Sequence, residues 1–251
     1  MKIILENEKI YHGNLVLVNA QYPFKDINTN NFKTITPRFP NIFLQYEASN
    51  ALNLILRKIS ANNAIIPVSG YRSVEEQSEI YYSSLKDNGQ EYTKKFVALP
   101  HHSEHQTGLA IDLALNQKNI DFICPNFPYE GISNNFRKAA PYYGFIERYQ
   151  KEKEKITSIA HEPWHFRYVG YPHSEIIVKK HFALEEYITF LKTYSEHNRF
   201  IYLSKNKSIN EIYFVPAIKY KTIITLPKTS NYQISGNNID GFIITLWRTN
   251  I

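Results

Sequence analysis

Three short stretches, Ser103-Glu104-His105, Gly108-Leu109-Ala110-Ile111-Asp112 and Glu162-Pro163-Trp164-His165, carry residue types that hold and use a metal ion. His105, Asp112 and His165 offer two imidazoles and one carboxylate. That is a three-ligand set for a catalytic zinc, one ion per chain, with a position left open for water. The set carries one negative charge, so the ion stays net positive and draws the pKa of a bound water towards ~7. Glu162 is the further carboxylate this chemistry needs, a general base that takes a proton from water and passes it to a departing amine. Arg72 is the candidate electrophile, a guanidinium directed at a scissile carbonyl to stabilise the developing oxyanion. Its bland reading is a surface ion pair near a helix start. Ser103 and Gln77 are small polar candidates for binding substrate. His101, His102 and His161 lie beside the ligands as candidates to support them, touch substrate or replace one of them, with His102 the alternative to His105. Trp164 reads as packing or pocket wall.

The elements around these residues follow from periodicity. Ala48, Ala51, Leu52, Ile55, Leu56 and Ile59 recur at helical spacing and predict an amphipathic helix over 46–59. Ala64 to Val68 predicts a short strand ending at Gly70. Ser73 and Glu76 have the spacing of a capping box, opening a helix that Asn88-Gly89 should stop. Arg72 then sits at a strand-to-helix turn. Residues 90–101 read as an irregular polar flap. Leu109 to Leu115 alternates as a strand, with Asp112 between Ala110 and Ala114 on its own face, which leaves room for a metal. A short helix over 133–143 ends near Pro141 and Gly144. Ile159 to Val169 reads as a strand, although an ideal strand would put Glu162 and His165 on opposite faces. Pro163, with no amide hydrogen, makes a bend there the alternative. Residues 174–194 read as helical. Beyond about 199, short β-like runs separated by turn residues predict an antiparallel appendage. The expected fold class is α+β: a small antiparallel sheet flanked by helices, a zinc site in a central cleft, and a β-rich C-terminal part. The expected domains are 1–195 for the site and 196–251 for the extension.

Composition narrows the remaining classes. With 43% hydrophobic and 21% charged residues the chain folds rather than staying disordered. The net charge is +6, but the basic residues are scattered and form no arginine-rich stripe, so nucleic-acid binding is not expected. The alternating run Lys151 to Lys155 reads as a solvated face. The lone cysteine, Cys124, excludes an intrachain disulfide and a thiolate cluster, and its apolar neighbours suggest a buried structural thiol. The first residues form neither a signal peptide nor an anchor, and no apolar run approaches the ~20 residues of a membrane helix. The expected compartment is the cytoplasm, without stable membrane insertion; protein partners are not legible.

At the residues quoted above, the sequence resembles the zinc D,D-peptidases of the VanX, VanY and VanXY group, which share the LAS-type peptidase fold. The family pattern Ser-x-His, Gly-x-Ala-x-Asp and Glu-x-x-His is met at residues 103–105, 108–112 and 162–165. Ser69-Gly70-Tyr71-Arg72-Ser73 resembles the segment that bears the family's oxyanion arginine. The resemblance spans roughly residues 45–190. It implies ligand roles for His105, Asp112 and His165, the base role for Glu162 and the carbonyl clamp for Arg72. It also implies hydrolysis of free D-Ala-D-Ala and of the terminal D-Ala of UDP-MurNAc-pentapeptide, a bifunctional D,D-dipeptidase and D,D-carboxypeptidase whose action confers glycopeptide (vancomycin) resistance. The rivals are a single-activity muramyl-peptide carboxypeptidase, D,D or L,D, and a non-catalytic zinc-binding module. Glu162 argues against the second, because a structural zinc needs no base.

Overall fold

The computed structural model describes residues 1–25, 31–35, 38–228 and 231–248. In chain order the elements are β1 (Lys2–Glu6), β2 (Phe32–Thr34), β3 (Phe43–Gln45), α1 (Tyr46–Lys58), β4 (Ile65–Ser69), α2 (Val74–Phe96), β5 (Ala110–Leu115), α3 (Gly131–Ala139), β6 (Phe145–Glu147), α4 (Glu154–Thr157), β7 (His165–Tyr168), α5 (His173–Lys179), α6 (Leu184–Leu191), β8 (Phe200–Leu203), β9 (Ile209–Pro216), β10 (Lys221–Thr225), β11 (Asn231–Gly236) and β12 (Gly241–Arg248). The fold is α+β, as the sequence predicts. It contains two compact units: Val18–Ala183, and Met1–Leu17 together with Leu184–Ile251.

The first unit is built on a four-stranded antiparallel sheet of order β4-β5-β7-β6. Side chains alternate along each strand. On β7 this sends Phe166 to one face and His165 with Arg167 to the other. Phe166 meets Phe127 and Phe136 edge-on, with centroids 5.7 and 4.8 Å apart, in a geometry aromatic pairs favour. The helix α1 forms as its spacing predicts and buries Ala48, Leu52 and Ile55 completely. At the start of α2 both capping-box bonds are present: Glu76 N donates to Ser73 Oγ at 3.1 Å and Ser73 N to Glu76 Oε2 at 2.7 Å.

Local expectations fail in four places. Gly89 breaks the helix where the sequence predicts a stop, but a second helical stretch follows within α2. It leaves helical geometry at φ 80°, ψ 171°, and the helix resumes to Phe96. Thr93 Oγ1 donates back to the Gly89 carbonyl at 2.9 Å and pairs with Ser84 Oγ at 2.9 Å. Much of the expected flap over 90–101 is therefore helix. The strand expected from Ile159 begins only at His165. The helix expected over 174–194 is two helices, α5 and α6. Cys124 is half-buried rather than buried, with Sγ 3.3 Å from Tyr92 Oη.

In the second unit β11-β12-β9-β8 form an antiparallel sheet, and β1 pairs antiparallel with β10. Ile10, Tyr213, Ile224, Leu226, Phe242, Ile244 and Leu246 make its core. The β-rich C-terminal part is present, and the N-terminal strand belongs to the same unit.

Candidate metal and catalytic site

Strand register assembles the centre of the site. Asp112 on β5 lies directly opposite Ser69 on β4 and His165 on β7. Residues facing each other in an antiparallel pair bring their Cβ atoms to about 4.5–5.5 Å. Three polar side chains thus stand in one row on the sheet face away from the phenylalanine cluster. His105 comes from a 3-10 turn, Glu104–Thr107, just before β5. Ser103 caps it by accepting from His105 N at 3.3 Å. Gly108 closes the turn at φ 67°, and a Cβ there would stand 2.3 Å from the Phe32 ring.

Each histidine is oriented through its far nitrogen. His105 Nδ1 donates to the Gly70 carbonyl at 2.6 Å, leaving Nε2 3.1 Å from Asp112 Oδ2. Gly70 suits this position because a Cβ would stand 2.3 Å from the Phe43 carbonyl oxygen. His165 does the reverse. Its Nε2 donates to Glu104 Oε2 at 3.3 Å and its Nδ1 lies 2.9 Å from Asp112 Oδ1. All three candidate ligands are buried, and their ligand atoms lie within 4.8 Å of one another. Atoms bound at ~2.0–2.1 Å in tetrahedral geometry stand about 3.3 Å apart, so the His/Asp/His donor set suits one small cation.

Electrostatics agrees with that use. Burial, joined by the Arg72 charge, lowers His105 to about 4, which favours the neutral imidazole that a metal ligand needs. Burial opposes ionisation of Asp112, but both histidines outweigh it and hold the carboxyl well below its usual range. Burial also opposes charge on His165, yet hydrogen bonds to Asp112 and Glu104 push it up to about 9. A metal bound at Nδ1 would take the place of that proton.

Glu162 reaches the ligands by a turn, not by a strand. His165 N donates to the Glu162 carbonyl at 3.3 Å, with Pro163 and Trp164 in the turn between them. The bend puts Glu162 Oε2 3.9 Å from His165 Nδ1. Burial raises Glu162 to about 8, against the opposing pull of His165. The turn is held on several sides: Glu162 N donates to the Tyr149 carbonyl at 2.9 Å and Leu113 N to the Trp164 carbonyl at 3.0 Å. Arg137 Nη2 donates to the Pro163 carbonyl at 2.5 Å, while the same guanidinium serves the Phe127 and Pro128 carbonyls and Glu147.

Arg72 is half-buried, its side chain 14% exposed, and its ion pair lines the cavity rather than the outer surface. It donates through Nη2 to Asp112 Oδ2 at 2.9 Å and through Nε to Ser69 Oγ at 2.7 Å. Gln77 Oε1 accepts from its Nη1 at 3.4 Å, and Gln77 Nε2 donates to the Ala98 carbonyl at 2.7 Å. Arg72, Gln77, Ser103, His105, Asp112, Glu162, Trp164 and His165 all line one cavity. His102 and His161 point elsewhere: His102 Nδ1 meets the Asn19 carbonyl at 2.7 Å, and His161 Nε2 meets Tyr129 Oη at 2.7 Å. Sequence reasoning missed Glu104, Arg137, Arg148 and Arg167. Glu104 stood in plain view inside the Ser-x-His motif.

Residues 41–171 match the VanY family, D-alanyl-D-alanine carboxypeptidase. The chain is 42% identical, over 70% of its length and 94% of the relative's, to the bifunctional D-Ala-D-Ala dipeptidase and D-Ala-D-Ala carboxypeptidase VanXYC of Enterococcus gallinarum. It is 35% identical to a D-alanyl-D-alanine carboxypeptidase of Enterococcus faecium, over 97% of this chain and 78% of that one. Among solved structures, the vancomycin-resistance D,D-dipeptidase VanXYg in complex with a D-Ala-D-Ala phosphinate analog superposes with a TM-score of 0.97, at 58% identity and 99% coverage of both chains. The chain belongs to the VanY family of D-alanyl-D-alanine carboxypeptidases and is a peptidase. No helix among the described residues is long and apolar enough to cross a membrane.

Proposed function

We propose that the protein is a zinc-dependent bifunctional D,D-peptidase, cleaving free D-Ala-D-Ala and removing the terminal D-Ala of UDP-MurNAc-pentapeptide, and so conferring glycopeptide resistance. The observation that carries this is the convergence of Glu162 and Arg72 on the His105, Asp112 and His165 cluster in one cavity. Full-length likeness to a D,D-dipeptidase and to a bifunctional relative supports the substrate assignment.

His105 Nε2, an Asp112 carboxylate oxygen and His165 Nδ1 would hold the zinc. When bound, it supplies a Lewis acid that acidifies water and polarises a carbonyl. Glu162 takes the proton of the attacking water on its carboxylate and delivers it to the leaving amine. Burial raises Glu162 in the metal-free site, and the charge of a bound zinc would favour the carboxylate form that accepts the proton. Arg72 turns a fixed cationic fork towards the carbonyl oxygen. Ser103 and Gln77 contribute polar groups for the rest of the dipeptide. A cytoplasmic location belongs to the same proposal; Cys124 is a free thiol, which suits a reducing compartment.

The test is D-alanine release by the zinc-loaded protein from D-Ala-D-Ala and from UDP-MurNAc-pentapeptide in parallel, with Glu162→Ala as control. Release from both substrates, lost in the control, is the expected result. Release from one alone reduces the protein to a single activity. Release from neither, with zinc bound, overturns the substrate assignment.

A further inference from the structure

Behind His165 lies a buried charge cluster that the reaction itself does not use. Glu104 is 1% exposed, Arg148 3% and Arg167 0%. Arg167 Nη1 donates to Glu104 Oε1 at 2.7 Å, and Arg148 Nε lies 3.0 Å from the same oxygen. The other oxygen, Oε2, is turned to His165 Nε2. Removing three charges from water is expensive, and a buried ion cluster is often no more stabilising than apolar packing of the same volume. Stability alone therefore gives a poor account of this one. Its division of labour gives a better one: the arginines take one carboxylate oxygen and fix the side chain, which leaves the other aimed at a single imidazole nitrogen.

We infer that Glu104 is a positioning residue for the metal, holding the His165 ring, through Nε2, with Nδ1 turned to Asp112 and the cavity, while Arg148 and Arg167 hold Glu104. The inference deepens the zinc reading above and rests on it. An imidazole free to rotate about its side-chain bonds could present either nitrogen. A carboxylate on the far nitrogen selects the tautomer and the ring orientation, and raises the ligand's basicity. The His105 ring needs no such side chain, because the Gly70 carbonyl does the same work at 2.6 Å. The two ligands consequently bind through different nitrogens, Nε2 of His105 and Nδ1 of His165. Residues 104 and 105 are neighbours in sequence yet serve different ligands. The Tyr149 ring, stacked at 5.3 Å and 27° on His165, closes one face of the imidazole but offers no preference between its nitrogens.

Two measurements test this. The first is long-range 1H–15N NMR of the histidine rings in the zinc-loaded wild-type protein. The expected spectrum has His165 protonated at Nε2 and metal-bound through Nδ1, with His105 the reverse; a His165 bound through Nε2 overturns the inference. The second is zinc affinity by chelator competition for wild type, Glu104→Ala and Glu104→Gln. Glu104→Ala should bind zinc about 10–100-fold more weakly. Glu104→Gln should recover most of that loss, since its amide oxygen can still accept from Nε2. Equal affinity in wild type and Glu104→Ala overturns the inference and leaves the zinc reading standing. A folded wild type that binds no zinc overturns the zinc reading itself. Should Glu104→Ala fail to fold, the wild-type spectrum decides alone.

Discussion

Arg72 and Asp112 are joined by a half-buried ion pair of 2.9 Å across 40 residues of sequence. The proposed oxyanion donor is thereby tied to a proposed metal ligand, and the two functions share one carboxylate. Arg72→Ala should lower kcat about 10²–10³-fold, the usual loss when a preorganised donor is removed. Arg72→Lys should rescue little, because an ammonium cannot serve Asp112, Ser69 and Gln77 from one planar fork. Steady-state kinetics on D-Ala-D-Ala check both; wild-type rates in Arg72→Ala would leave the residue a structural partner of Asp112.

Glu162→Gln should keep zinc and lose turnover. Its side chain stands 3.9 Å from His165 Nδ1, and it is distinct from the three residues grouped as candidate ligands. Metal content by atomic absorption beside dipeptide hydrolysis separates the roles. Loss of zinc in this variant would make Glu162 a ligand.

Arg137→Lys should lower both activity and thermal stability. One ammonium cannot replace a guanidinium that serves three backbone carbonyls and Glu147. Each buried carbonyl left without a donor costs about 1–3 kcal/mol. Because Pro163 is among them, the turn presenting Glu162 should loosen, and kcat should fall with KM little changed. Kinetics and calorimetry on the same preparation test the pairing of the two losses.

His173 should make the protein acid-sensitive. It is 1% exposed, and burial lowers it from an ordinary 6.5 to about 3. A folded-state pKa below the unfolded one means that the unfolded chain binds the extra proton. Stability is then fully present above pH 6.5 and is lost progressively as pH falls towards 3. The slope from this one group approaches about 1.4 kcal/mol per pH unit. Urea midpoints of wild type and His173→Phe, both with chelator, should diverge in slope between pH 6.5 and 5; parallel slopes would refute it.

Gly108→Ala should destabilise by about 1–3 kcal/mol, the range for a non-glycine residue forced into a left-handed conformation. The new methyl would also meet Phe32. As the turn ending at Gly108 carries His105, zinc affinity should fall with stability. Denaturation curves and chelator competition read the two.

The site was legible where its chemistry is written in short motifs. Ser103-Glu104-His105, the alternation around Asp112 and Glu162-Pro163-Trp164-His165 each announce themselves within ten residues. Pro163 even marked the bend that lets Glu162 join the ligands. Contacts closed only by the fold were not legible. Glu104 meets Arg167 across 63 residues, and Arg137 meets Pro163 across 26. A charged residue in a strand reads as solvent-facing until its partner is known. The same holds for elements. Gly89 does break the helix, but the Thr93 bonds to Gly89 and Ser84 that tie the following helical stretch to the first lie beyond that local signal. The weakly patterned Asn231–Gly236 strand is specified by its neighbour β12 rather than by its own alternation.

The pairing of β1 with β10 sets a timetable for synthesis. The two strands lie roughly 220 residues apart in the chain. At about 5–20 residues per second, β1 leaves the ribosome roughly 10–45 s before its partner has been made. Residues 18–183, by contrast, contain every strand of the sheet that carries Asp112 and His165. The strands that carry Asp112 and His165 can therefore pair while β1 still waits for β10.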